Sequence, residues 1–167
     1  MSKIGIIMGS KSDLDIVSET IKQLNAFDIE YEVIVASAHR TPEVTAEWSR
    51  NARANGYAAI IAFAGAAAHL AGVVAAETNL PVIAVPISAT SLLGLDALLS
   101  MVQMPGGIPV AVMAIGKAGA KNAAIFAAQI IANNDDALFA KLETYRADMR
   151  KKIASDNEEV QRAIASM

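Results

Sequence analysis

Apolar positions recur along this chain in two rhythms, and the switches between them mark its elements. Lys3 to Met8 is a continuous apolar run, the pattern of a strand covered on both faces. Leu14 to Ala26 changes to a helical rhythm, with Ile16, Val17, Ile21 and Leu24 spaced for one buried face. Glu30 to Ala36 reads as a second strand, alternating in its first half. Thr41-Pro42-Glu43 then offers an N-cap, a proline at the first helical position and an acid in the first turn. These open a helix to about Asn55, which Gly56 closes. Ala58 to Phe63, Val82 to Pro86 and Ile108 to Ile115 supply three more strands, with helices expected near 68–78, 92–101 and 118–132. Strands alternating with helices specify right-handed βαβ crossovers and a parallel sheet with helices on both faces. The expectation is one α/β domain over residues 1–167, a flavodoxin-like three-layer fold around a five-stranded parallel sheet.

The segment from Asp135 to about Ala165 departs from this rhythm. Charges are dense, and Leu138, Leu142, Tyr145 and Met149 form a thin apolar stripe at spacings of four, three and four. It reads as an extended C-terminal helix that docks, on its own domain or on a neighbouring subunit; for residues 135–165 the neighbour is the expectation carried forward.

Composition sharpens the class. Hydrophobic residues make up 54% of the 167 residues and charged ones 19%, more apolar than the usual ~45–50%. That leaves a membrane span or a subunit burying extra surface against copies of itself. The one window long enough to span is 58–76, but it is mostly alanine and glycine, carries His69, and divides into a strand, a small-residue turn and a helix. A net charge of −3 with scattered Lys and Arg lacks the basic footprint of a nucleic-acid binder. No cysteine is present, which excludes disulfides and thiolate catalysis. Together with a start that lacks the pattern of a secretory leader, this points to the cytoplasm.

In an open parallel sheet, ligands bind beyond the carboxyl ends of the strands, and the polar residues collect there. The five strand exits carry GSKSD (9–13), SAHRTPE (37–43), AGAAAHLAG (64–72), the stretch from Ser88 to Ser91, and GKAGAKN (116–122). Gly9 to Asp13 leads into a helix N-terminus, where free N–H groups, the helix dipole and the hydroxyls of Ser10 and Ser12 favour an anion. Neither GxxxxGK[ST] nor GxGxxG spacing is present, so Mg-ATP and dinucleotide readings are weak. The plain alternative is a helix start capped by Ser12 or Asp13. Arg40, beside Ser37, favours the anion reading, because a guanidinium holds phosphate in bidentate fashion; Asp13 would then accept from sugar hydroxyls. His39, between Ala38 and Arg40, can move protons both ways near neutrality; otherwise it is a surface histidine. His69 follows a run of alanines that lets a planar ligand approach the backbone, unless it is a satisfied helix-start histidine. No acid stands near either histidine in sequence, and no metal is expected.

At these residues the chain resembles class I of the aminoimidazole ribonucleotide carboxylase family of de novo purine synthesis, the N5-carboxyaminoimidazole ribonucleotide mutases. MGSKSD (8–13), SAHRTPE (37–43), AAHLAG (67–72), and VQMPGGIPV followed by AIGKAGAKNA (102–123) match its signature segments in order and spacing. The resemblance implies isomerisation of N5-carboxyaminoimidazole ribonucleotide to the 4-carboxy isomer, without cofactor or metal, through loss and recapture of a trapped CO2. It implies His39 as proton shuttle. Ser10, Ser12 and Asp13 would contact substrate, with Asp13 on the ribose, and Ser37, Ala38 and Arg40 would hold the phosphate end. His69, Gly65 and Ala66 would flank the ring and the migrating carboxylate. A ribonucleotide is the implied partner, with neither nucleic acid nor membrane, in a homo-octamer. Phe63, Ala66 and Ala71 replace two glycines and a proline of the family's usual third segment. The readings set against the mutase are a class II, CO2-dependent carboxylase and a non-catalytic flavodoxin-like nucleotide-binding module.

Overall fold

The computed structural model describes residues 3–167. It divides into two compact units, one reaching Ile131 and the other running from Ala132 to Met167.

The first unit is built on five parallel strands in the order β2-β1-β3-β4-β5. They are β1 (Lys3–Met8), β2 (Tyr31–Val35), β3 (Tyr57–Gly65), β4 (Val82–Ile87) and β5 (Ala111–Val112), alternating with α1 (Leu14–Ala26), α2 (Pro42–Asn51), α3 (Leu70–Glu77), α4 (Leu95–Val102) and α5 (Lys117–Ala132). This is the expected flavodoxin-like arrangement. β3 lies at the centre, and Ala59 to Phe63 are fully buried there, which is why this stretch reads as an unbroken apolar run. Its side chains alternate between faces. Ile60, Ala62 and Ala64 join Leu70, Ala71 and Val74 of α3 and Ala97 and Met101 of α4 in one core. α1 and α5 are tied together where the buried Thr20 hydroxyl donates to the Ala120 carbonyl at 2.6 Å.

Several boundaries differ from expectation, each for a local reason. β5 is two residues rather than Ile108 to Ile115. Pro86 of β4 has no N–H to extend the ladder, and although Met113 and Gly116 still donate to the carbonyls of Ala84 and Pro86 at 2.9 Å, regular pairing stops at Val112. α3 begins at Leu70 instead of residue 68, after a turn in which Ala66 takes a φ of 55° and the His69 amide donates to the Ala67 carbonyl at 2.9 Å. α4 begins at Leu95 instead of 92, because Leu93 and Gly94 have φ of 55° and 87°. α2 stops at Asn51, four residues before the expected end near Asn55. Thr41 precedes α2 as expected but does not cap it: its hydroxyl accepts from the Ser37 amide at 2.9 Å and donates to the Ser37 carbonyl at 3.1 Å, closing the loop that holds His39 and Arg40.

The second unit is dominated by α6 (Asp136–Ala165), thirty residues capped by Asp135, whose side chain accepts from the Leu138 amide. Leu138 and Leu142 are buried, whereas Met149, Ile153, Val160 and Ile164 are exposed. No helix among the described residues is long and apolar enough to cross a membrane; the 58–76 window forms β3 and most of α3.

Candidate active site

The strand order reverses between β1 and β3, since β1 is followed outward by β2 on one side and β3 on the other. A crevice opens at such a switch point. Here it is a cleft of about 320 Å³ walled by the exits of β1, β2 and β3, with Ala89 from the exit of β4. Ser10, Ser12, Asp13, Ser37, Ala38, His39, Arg40, Gly65 and Ala66 all line it. His69 does not. It sits beside His39, with Nδ1 3.0 Å from the Nε2 of His39 and the two rings perpendicular at 5.2 Å. The fifth exit, GKAGAKN, also stays outside the cleft, and its Lys117 pairs with Asp15 at 3.0 Å. Phe63, the one aromatic near these exits, is fully buried in the sheet and offers no stacking face.

The β1 exit is shaped by its own side chains. Asp13 stands at the N-cap position of α1 but makes no side-chain cap bond there; Ser10 caps the 3-10 turn before it, its hydroxyl accepting from the Ser12 amide at 3.3 Å while Asp13 reaches back to accept from the Ser10 amide at 3.1 Å. This is the reciprocal capping box, closed on a single 3-10 turn. The Ser12 hydroxyl donates to Ser10 Oγ at 2.9 Å. Asp13 is buried, and burial pushes its carboxyl above the ordinary range; hydrogen bonds from Ser12 and Ser10 and the charge of Arg40 oppose that shift. A carboxylate in this position keeps acceptor capacity for a hydroxyl-bearing ligand.

Arg40 spans the β1 and β2 exits. Its Nη2 donates to the Gly9 carbonyl at 2.9 Å, and its Nε and backbone amide donate to Ser37 Oγ at 3.4 and 3.2 Å. One end of the cleft therefore carries a fixed cation with hydroxyls around it, as an anionic group requires. The opposite wall is apolar and close-fitting. A side chain on Gly65 would meet Ala89 Cβ at 2.6 Å and the Ile87 carbonyl at 3.1 Å, so glycine is required for β3 to approach β4 there. Ala66 adds a methyl group on a left-handed backbone, a conformation that glycine adopts without cost and alanine does not.

The histidine pair is the group at this edge that could carry a proton. A hydrogen bond between Nε2 of His39 and Nδ1 of His69 needs one proton between the two nitrogens. A proton arriving on His39 can thus be shared with His69, while a second would set two like charges side by side. No group of three or more His, Cys, Asp or Glu side chains with metal-binding placement stands among the described residues.

Nine of the ten candidates named from the sequence line the wall, and Gly9, Ala64, Ala67, Leu70 and Ala89 line it without having been candidates. Gly9 serves through its carbonyl and Ala89 through a contact across β4, neither of which leaves a residue-type signal.

A family-wide sequence model described as AIR carboxylase matches residues 3–152. Proteins named N5-carboxyaminoimidazole ribonucleotide mutase are similar along the chain. That of Haemophilus influenzae is 49% identical over 152 residues, covering 91% of this chain and 93% of its own. That of Pyrococcus abyssi is 53% identical over 151 residues, covering 90% and 86%. Among solved structures, PurE of Treponema denticola superposes with a TM-score of 0.86 at 29% identity, covering 95% of this chain and 98% of its own.

Proposed function

Since the chain belongs to the AIR carboxylase family, we propose that it isomerises N5-carboxyaminoimidazole ribonucleotide to 4-carboxyaminoimidazole ribonucleotide in purine biosynthesis. The observation that carries this reading is the single cleft with an arginine and serines at one end, a buried carboxylate beside them, and a histidine facing a wall of alanine and glycine. Arg40, Ser37 and the Ser10–Ser12 turn hold the phosphate, and Asp13 accepts from the ribose. These contacts lay the imidazole against Gly65 and Ala66, with Ala38 beside it.

The reaction then balances within the cleft. Protonation of the carbamate nitrogen by His39 accompanies cleavage of its bond to the carboxyl carbon, giving the free amine and CO2. The neighbouring ring carbon, made nucleophilic by that amine, attacks the CO2. The proton displaced from this carbon returns to His39, and the net change is isomerisation. His69 holds one ring nitrogen of His39 in its hydrogen bond and so orients the ring that gives the proton and takes it back. The apolar wall keeps water from the CO2. No cofactor enters this scheme.

The purified protein is expected to convert the carbamate to the 4-carboxy product without ATP, followed by the absorbance of the product. Turnover only with aminoimidazole ribonucleotide plus bicarbonate would assign a class II carboxylase instead, and ligand binding without turnover a non-catalytic module. His39→Asn should lower turnover by at least ~10²-fold, the scale of a lost acid-base group, while binding is largely kept; normal turnover would overturn the shuttle role.

We further infer a cytoplasmic homo-octamer that acts on this small molecule and on neither nucleic acid nor membrane. Exposed Leu92, Leu93, Leu95, Leu99 and Val102 at α4 support association between copies, and α6 is read as docking on a neighbouring subunit.

A further inference from the structure

The last four turns of α6 carry a stripe that the cleft chemistry does not use. At ~100° per residue, Met149, Ile153, Val160 and Ile164 fall within an arc of about 60°. They are 53%, 68%, 54% and 56% exposed. Three of the four lie beyond residue 152, where the family match ends. Their spacing is symmetric, at four, seven and four residues. A two-fold axis between Asp156 and Asn157 therefore maps the stripe onto itself, setting Met149 level with Ile164 of a second copy and Ile153 level with Val160.

Charge order decides the direction of pairing. Arg150, Lys151 and Lys152 precede the centre and Glu158 and Glu159 follow it; Arg162 stands against this order on the outward face, and Asp156 stands at the centre, where Lys152 of its own helix pairs with it. A parallel pair would stack base on base and acid on acid, which repel. In the antiparallel pair Lys152 and Glu159 share one flank of the stripe and lie about 3 Å apart along the axis, across the two copies. The symmetry repeats this ion pair. We propose that residues 149–164 of α6 pair antiparallel with the same segment of a second copy of this chain. Sixteen residues span about 24 Å, too little for an independent interface, so the pairing ties together copies already joined through other surfaces. It stands apart from the reaction assigned to the cleft.

The absence of cysteine from the sequence makes the test direct. Asp156→Cys, Asn157→Cys, Ile153→Cys and Val160→Cys are each placed singly in the full chain, oxidised mildly and run on a non-reducing gel. Asp156 and Asn157 lie at the axis, so these two variants should form covalent dimers in most of the protein. Asn157→Cys also leaves the Lys152–Asp156 ion pair intact. Ile153→Cys and Val160→Cys should not cross-link alone, since like residues are about 10 Å apart along the axis and a disulfide tolerates ~7 Å between Cα atoms; coexpressed, they should cross-link to each other. Cross-linking of Ile153→Cys or Val160→Cys alone, as readily as at the axis, would overturn the antiparallel register. Failure of both axial variants, or a monomeric protein, would remove the pairing.

Discussion

Asp13 shows what one buried acid does at this site. Its carboxyl is held above the ordinary range mainly by burial. A carboxyl whose folded-state affinity for protons exceeds its unfolded one disfavours the fold above its folded pKa, and that penalty fades as pH falls through it. Asp13→Asn retains an oxygen for the Ser10 amide and removes the charge. The variant should therefore have a higher Tm than the parent at pH 7, with the difference shrinking as pH drops toward 4. It should also bind the ribonucleotide about tenfold or more weakly, the scale of a lost hydrogen bond to a charged group. Thermal scans across pH and a titration check both arms. The place of Asp13 on the cleft wall was legible because acid, serines and glycine leave a strand together. Its bond back to Ser10 was not, because a one-turn 3-10 helix has no periodicity to read.

Elements were legible where burial is uniform and less so where single backbone events decide. α1 matches its expected limits, with Val17 and Leu24 of its apolar positions buried and Ile16 and Ile21 half-buried beside them; the polar Thr20 and Gln23 complete the buried face. β5 does not, because the missing N–H of Pro86 lies in a different strand from the one it shortens. α4 starts late because Leu93 adopts a left-handed φ, and α3 starts after a turn over Ala66 to His69; neither alanine nor leucine advertises such a turn. Gly119 makes a related point in α5. A side chain there would lie 1.6 Å from the Ala114 carbonyl oxygen, so the first turn of α5 is pressed onto the backbone that leaves β5. Helix propensity alone favours Gly119→Ala by up to ~1 kcal/mol. Overpacking against backbone costs more, typically ~1–3 kcal/mol and occasionally beyond. The variant is thus expected to lose about 1–2 kcal/mol in chemical denaturation; a neutral or stabilising result would show that the helix shifts freely.

Over the whole molecule, the edge that carries the cleft was readable from the alternation of strands and helices, because ligands of a parallel sheet sit beyond the carboxyl ends of its strands; the switch point itself came only with the strand order. Which exits reach the cleft was not readable, and GKAGAKN stays outside. The apolar surplus of the composition is accounted for in part by the exposed leucines of α4 and the outer stripe of α6. Light scattering should return a mass near eight chains, and a monomer would contradict the assembly. The walls of the cleft also have an order in time. Every lining residue but Ala89 belongs to the stretch from Gly9 to Leu70, so 97 of the 167 residues are still to be made when that stretch is complete. At ~5–20 residues per second of synthesis, that is roughly 5–20 seconds. A nascent chain thus carries nearly all the side chains of the cleft wall well before α4, α5 and α6 are complete.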